Sequence, residues 1–179
     1  MNKSHLRRIP AGAIVFTKDT IDITDPCYNS KVWCRMNDVP IVPGTYDCYV
    51  YKTKDPKHEE SMRVFAAQIV LKDEDAGTAV KNGRRWRRIG SIGVDSGMAG
   101  FFQNKPDFDD DEWSRLCSLI TAEEKEWWNT DSYGFHHYAS ETKCDSWGFF
   151  TSSGYGDGGY DVYAVKKDGR CIAIEIRFY

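Results

Sequence analysis

No stretch of the 179-residue chain stays apolar for the ~20 residues that a membrane-spanning helix needs, so no membrane association is expected. The one apolar run near the N-terminus, Ala11 to Phe16, is too short for a signal-peptide core. The six cysteines (Cys27, Cys34, Cys48, Cys117, Cys144 and Cys171) include no Cys-x-x-Cys pair, which argues against a zinc ribbon or a dithiol redox motif. With no export signal they read as reduced thiols, and a cytoplasmic location follows. Charge of one sign is also scarce: the net charge is −3 and the pI about 5.8. No global field then draws the chain to nucleic acid or an anionic membrane, so bulk nucleic-acid binding is not expected and any basic contact must be local. A phosphate loop, a Ser-His-Asp spacing, internal repeats and linkers are all missing.

What the chain does contain favours sheets. Its residues are 41% hydrophobic and 14% aromatic, with ten Tyr, nine Phe and six Trp, types that suit a pleated, half-buried surface. The length fits a single domain, 1–179, that needs no covalent staple. Strands are expected over Ala13 to Thr17, Thr20 to Thr24, Tyr46 to Lys52, Arg63 to Leu71 and Met98 to Phe102. Asn82-Gly83 signals a hairpin joining Thr78–Lys81 to Arg84–Arg88, with the returning strand running on to Val94. Asp168-Gly169 signals a second, joining Tyr160–Lys166 to Cys171–Phe178. One helix is marked by a capping box, Asp109 with Glu112, ahead of Trp113, Leu116, Cys117 and Ile120 at helical spacing. Thr121 with Glu124 repeats the box and predicts a second short helix to Trp128, followed by a loop from Asn129 to Ser140. The expected class is α+β: predominantly antiparallel sheets, as a sandwich or partly open barrel, with one or two helices inserted around residues 109–129.

Three turns carry a carboxylate beside residues that allow close backbone approach: Thr24-Asp25-Pro26-Cys27-Tyr28, Gly93-Val94-Asp95-Ser96-Gly97 and Gly154-Tyr155-Gly156-Asp157-Gly158-Gly159-Tyr160. Two follow an apolar strand and the third precedes one, so all three can meet at one sheet edge. Three carboxylates brought together repel unless a cation or shared proton offsets them. Asp25, Asp95 and Asp157 are therefore the candidate catalytic residues and the candidate ligands of a hard cation, Mg²⁺ or Ca²⁺. Ser96, Tyr155, Gly156 and Gly158 are candidate ligand-binding neighbours. The competing reading is that Asp and Gly merely form turns.

On these motifs the chain resembles an uncharacterised family of small bacterial and phage proteins. That family combines an Asp-Pro-Cys-Tyr-like turn, a Val-Asp-Ser-Gly-like turn and a terminal Gly-Tyr-Gly-Asp-Gly-x-Tyr segment. The resemblance spans about Ile21 to the C-terminus and implies that Asp25, Asp95 and Asp157 are shared positions, with no activity attached. Val94-Asp95-Ser96-Gly97 also looks like the active-site turn of aspartic proteases, but that chemistry needs two such carboxylates and the chain has one copy.

Two other segments are candidates. Arg84-Arg85-Trp86-Arg87-Arg88 can pair phosphates and stack a base, with Arg85 and Arg87 on one face of a strand; charged protection of a sheet edge is the alternative. His136 and His137, among Tyr133, Phe135 and Tyr138, give a titratable aromatic loop able to supply a base or ligand. Cys27 becomes a nucleophile only if a histidine meets it. These readings combine into a ligand-binding or hydrolytic domain for a small phosphorylated or nucleotide-like molecule. The alternative is a non-catalytic module that binds a protein partner or sequesters a ligand, in phage and host conflict.

Overall fold

The computed structural model describes residues 5–53, 63–73, 76, 78, 86–123, 133–140 and 143–179; for residue 53 and those between 119 and 147 it describes the backbone alone. Two antiparallel sheets face each other. The six-stranded sheet runs β1 (Leu6–Phe16), β4 (Gly44–Thr53), β5 (Ala66–Leu71), β11 (Arg170–Arg177), β10 (Gly158–Lys167) and β6 (Arg87–Val94). The five-stranded sheet runs β3 (Met36–Pro40), β2 (Thr20–Thr24), β7 (Met98–Phe102), β9 (Lys143–Ser152) and β8 (Tyr133–Ser140). The arrangement is an α+β sandwich, not closed into a barrel.

Alternation explains the layers. Cys48 and Val50 of β4, Ala67 and Ile69 of β5, Ile174 and Ile176 of β11 and Val162 of β10 are buried in one cluster with Ile21, Ile23, Phe101 and Phe149 of the other sheet. Odd and even positions of a strand face opposite ways, so this inner layer uses only half of each strand. The second face of the five-stranded sheet is also covered. Met98, Phe102 and Phe150 bury against Phe108 and Leu116, which places the helix α1 (Asp110–Glu123) on that side. Every residue of β7 is consequently buried. At Gly148 a Cβ atom would fall 2.0 Å from the Phe102 ring, so the close approach of β7 and β9 depends on its missing side chain.

The capping box forms as expected: the Glu112 amide donates to Asp109 (2.8 Å), and the Asp109 amide donates to the Glu112 carboxylate (3.0 Å). The second box does not start a helix, because Thr121 lies inside α1 and its amide already belongs to a running helix; residues 124–130 lie outside the described part. The segment expected to be a loop up to Ser140 is strand β8 from Tyr133, paired with β9. Cross-strand pairing supplies order there that local propensity does not signal. Of the hairpin expected at Asn82-Gly83, Thr78 is helical, residues 79–85 lie outside the described part, and the returning strand is seen from Arg87. The C-terminal hairpin turns as expected, with Asp168 and Gly169 both at positive φ (50° and 80°). β1 begins earlier than its apolar residues suggest. It is an edge strand, where Pro10 loses no ladder bond, and an irregularity between Pro10 and Gly12 absorbs the break.

Candidate functional site

The three Asp-containing turns come together at one end of the sandwich. β2 ends at Thr24, and Asp25 follows it. Residues 95–97 carry the chain from β6 in one sheet to β7 in the other, and Gly158, the first residue of β10, pairs with Val94. Asp95 and Asp157 thus flank the last rung of the β6–β10 ladder.

Their side chains do different things. Asp25 is fully buried, and both carboxylate oxygens are engaged. Oδ1 accepts the Cys27 amide (2.8 Å) and the Ser96 hydroxyl (2.6 Å); Oδ2 accepts the Asp95 amide (2.8 Å) and the Ser96 amide (2.7 Å). Four donors saturate a carboxylate, so Asp25 is a clasp bolting its own turn to the Asp95-Ser96 turn. The expected cation site at Asp25, Asp95 and Asp157 is corrected on this point: among the described residues no three His, Cys, Asp or Glu side chains are grouped to hold a metal. The lone pairs Asp25 would lend to a metal or to water activation are spent on amides.

Asp95 and Asp157 are exposed. Ser96 is half-buried beneath them with its amide and hydroxyl committed to Asp25. In the glycine-rich turn, the Gly156 carbonyl accepts both the Ser153 hydroxyl (2.6 Å) and the Tyr160 hydroxyl (2.8 Å). Gly154 (φ 70°) has Val64 O only 2.1 Å from where a Cβ would lie, so this glycine serves packing rather than a ligand. Tyr155 is 44% exposed, edge-on to Phe65 and capped by the Arg63 guanidinium. Gly158 serves the β6–β10 ladder.

Of the remaining candidates, the described Arg87 and Trp86 do not join these turns. Arg87 starts β6 and Asp95 follows its end, roughly 25 Å apart at the rise of an extended strand. Trp86 is half-buried against the main core. Arg85 lies outside the described residues. His136 and His137 sit on β8, opposite Gly148 and Ser146, and their side chains lie outside the described part. Cys27 is half-buried with its thiol pushed far up by burial and then by the Asp25 charge, the reverse of what a nucleophile requires.

Several residues that the sequence did not single out matter here. The segment from Tyr28 to Arg35 is held at both ends and in the middle. Asn29 exchanges two hydrogen bonds with the Phe108 backbone (both 2.9 Å), and Ser30 donates its amide (2.6 Å) and hydroxyl (2.8 Å) to the Asp107 carboxylate. These two bonds hold the Asp107 carboxyl below the usual range. Arg35 ties the Tyr28 carbonyl (3.1 Å) to Asp22 (2.6 Å), and the Gly93 amide donates to the Cys34 carbonyl (2.7 Å). The Tyr28 hydroxyl is raised in pKa first by burial, then by hydrogen bonding with Cys34 and Asp95. Lys105 is half-buried, and burial followed by the nearby Arg35 charge holds its ammonium down at about 8. On this fixed loop Trp33 is 91% exposed.

No protein-family model matches the chain, and it is similar to no curated protein and no solved structure. No described helix is long and apolar enough to cross a membrane.

Proposed function

We propose that this chain is a non-catalytic recognition module that docks a basic segment of a partner protein on the end of the sandwich formed by residues 28–35 and the Asp95 and Asp157 turns. The observation that carries this reading is Trp33, a large aromatic left 91% exposed on a loop that hydrogen bonds hold in one shape. Exposing a tryptophan forgoes about 2–3 kcal/mol of burial, and a preorganised ring recovers that on binding without an ordering cost. Tryptophan and arginine dominate binding hot spots, and cations favour indole faces. Asp95 and Asp157 supply carboxylates on the same end of the molecule, their negative charges matched to a basic partner.

Recognition is favoured over hydrolysis because Asp25, the fully buried carboxylate of the trio, already accepts four hydrogen bonds. Calorimetric titration with an arginine- and lysine-rich peptide tests the proposal. Trp33→Ala is expected to weaken binding about tenfold or more, as a hot-spot truncation does. Asp95→Asn with Asp157→Asn is expected to weaken it several-fold and to flatten its salt dependence. Lys31→Glu, on the same loop, is expected to strengthen it. Parent-like affinity in the Trp33 variant contradicts the reading.

A further inference from the structure

β1 is the outermost strand of the six-stranded sheet and pairs on one side, with β4. Which of its backbone groups face outward follows from the hydrogen bonds of β4. The Thr45 and Tyr51 carbonyls accept the Lys72 and Phe65 amides (2.7 and 2.8 Å) on the β5 side. Backbone direction alternates along a strand, so Tyr46 and Cys48 turn toward β1, where they pair with Ile14 and Gly12. Ala13 and Val15 therefore direct their amides and carbonyls away from the sheet, and among the described residues neither has a hydrogen-bond partner there. The two halves of this edge differ. Arg7, Arg8, Pro10 and the irregularity between Pro10 and Gly12 guard the first half, as charges, proline and bulges do on edge strands that stay unpaired. The second half, Gly12 to Phe16, carries no charge and no proline. Gly12 and Ala13 are exposed and Val15 is 59% exposed, while the alternate Ile14 and Phe16 are anchored in the main core. The open edge is thus held in one shape.

We propose that this edge pairs with the same edge of a second copy of the chain, joining two six-stranded sheets across a two-fold axis at Ile14. Antiparallel pairing about that axis places Ala13 opposite Val15 of the other copy. Both face outward, so each such pair exchanges two backbone hydrogen bonds. The same register sets Gly12 opposite Phe16 and Ile14 opposite its own symmetry mate, so a small residue meets a large one at either end and a β-branched pair fills the centre. Moving the axis by one residue loses this. Centred on Ala13, it brings the irregular stretch at Ala11 against Val15; centred on Val15, it needs the Thr17 amide, which already donates to Gln103 (2.8 Å). The charges flanking the open stretch, Arg8 and Lys18, fall beyond the ends of this ladder. Asp47, beside Ala13 on β4, stands three strand spacings from its symmetry mate, about 14 Å, past a screening length of ~8 Å. A foreign extended strand would find the same outward amides and carbonyls but not the matched Gly–Phe and Ala–Val pairs, so a second copy is the occupant that fits.

Sedimentation equilibrium of the full chain, with amide hydrogen exchange at low and high concentration, tests this. A dimer with a dissociation constant on the order of 100 µM is expected, as small interfaces give. The Ala13 and Val15 amides should exchange freely in dilute protein and become protected as the dimer fills, while the Ile14 amide, turned toward β4, stays protected throughout. Val15→Lys sets two cations diagonally across the axis and should weaken the dimer about tenfold or more. Ala13→Pro removes an outward amide without touching the β4 ladder and should abolish the dimer. Should that variant fail to fold, Val15→Lys, at an exposed side chain, carries the test. Trp33→Ala should dimerise as the parent does, which separates this edge from the basic-peptide site. A chain still monomeric at about 1 mM, a dimer whose Ala13 and Val15 amides exchange freely, an open series of oligomers in place of a closed pair, or an unaltered Val15→Lys variant overturns the inference.

Discussion

Asp25 and Glu175 are both fully buried carboxylates, yet they are satisfied in opposite ways. Asp25 receives three backbone amides and one hydroxyl from two turns that lie 70 residues apart in sequence. Among the described residues Glu175 receives two side chains, Gln68 from the neighbouring strand β5 and Arg177 from two positions further along its own strand. Backbone donors cannot rotate away, so the first carboxylate is a fixed strut that sets where the turns lie. Side-chain partners can flip or rearrange, so the second is an adjustable network. A buried acid is thus no functional signal in itself; the chemistry of its donors tells what it does.

The amide isostere breaks the comparison most sharply. Asp25→Asn places an NH₂ group against donors that have nowhere to turn, and is expected to cost about 3 kcal/mol or more in urea unfolding. Glu175→Gln retains an oxygen for Arg177, and the Gln68 amide can flip to accept from the new NH₂, so about 1–2 kcal/mol is expected. Equal losses at the two sites would remove the distinction.

A third buried charge sharpens it through pH. Burial, with Arg7 nearby, holds the Lys52 ammonium down at about 8, against 10.5 for a free lysine. Between those values the unfolded chain binds more protons than the folded one, so this residue's contribution to stability rises with pH through that window. It is fully present above the upper value and lost as pH falls to the lower. Because buried thiols and phenols such as Cys48 and Tyr46, raised by burial, act in the other direction at alkaline pH, the readout is the difference between parent and Lys52→Met. The parent should gain on the variant from about pH 8 upward, and a constant difference would refute the assignment. The smallest effect is expected at Trp33→Ala, within about 0.5 kcal/mol of the parent in stability, since its ring touches solvent rather than core.

Much of this architecture is legible in the residues. Thr20–Thr24 and Met98–Phe102 are strands as expected, because apolar alternation between turn formers survives any tertiary context. The Asp109 box and the Asp168-Gly169 turn carry their geometry locally. β3 hides because Val39 is its single fully buried hydrophobic, too little for a pattern, and β8 hides because Gly134 and two histidines interrupt it. For the site, the meeting of the three turns follows from their places at strand ends. What Asp25 would do there does not, since its donors arrive from the distant Asp95-Ser96 turn. The Glu175 network leaves one faint mark, a lone Glu175 between Ile174 and Ile176 with Arg177 beyond; its Gln68 partner is 107 positions away. Exposure of Trp33 has no sequence signature at all, because tryptophan composition reads the same inside and outside.

The strut is tested most directly by amide hydrogen exchange at Asp95 and Ser96, compared between the parent and Asp25→Asn. Both amides should be protected in the parent and exchange far faster in the variant while the β4–β5 ladder keeps its protection. Amides that exchange freely in the parent, or that remain protected once the carboxylate is gone, would contradict it.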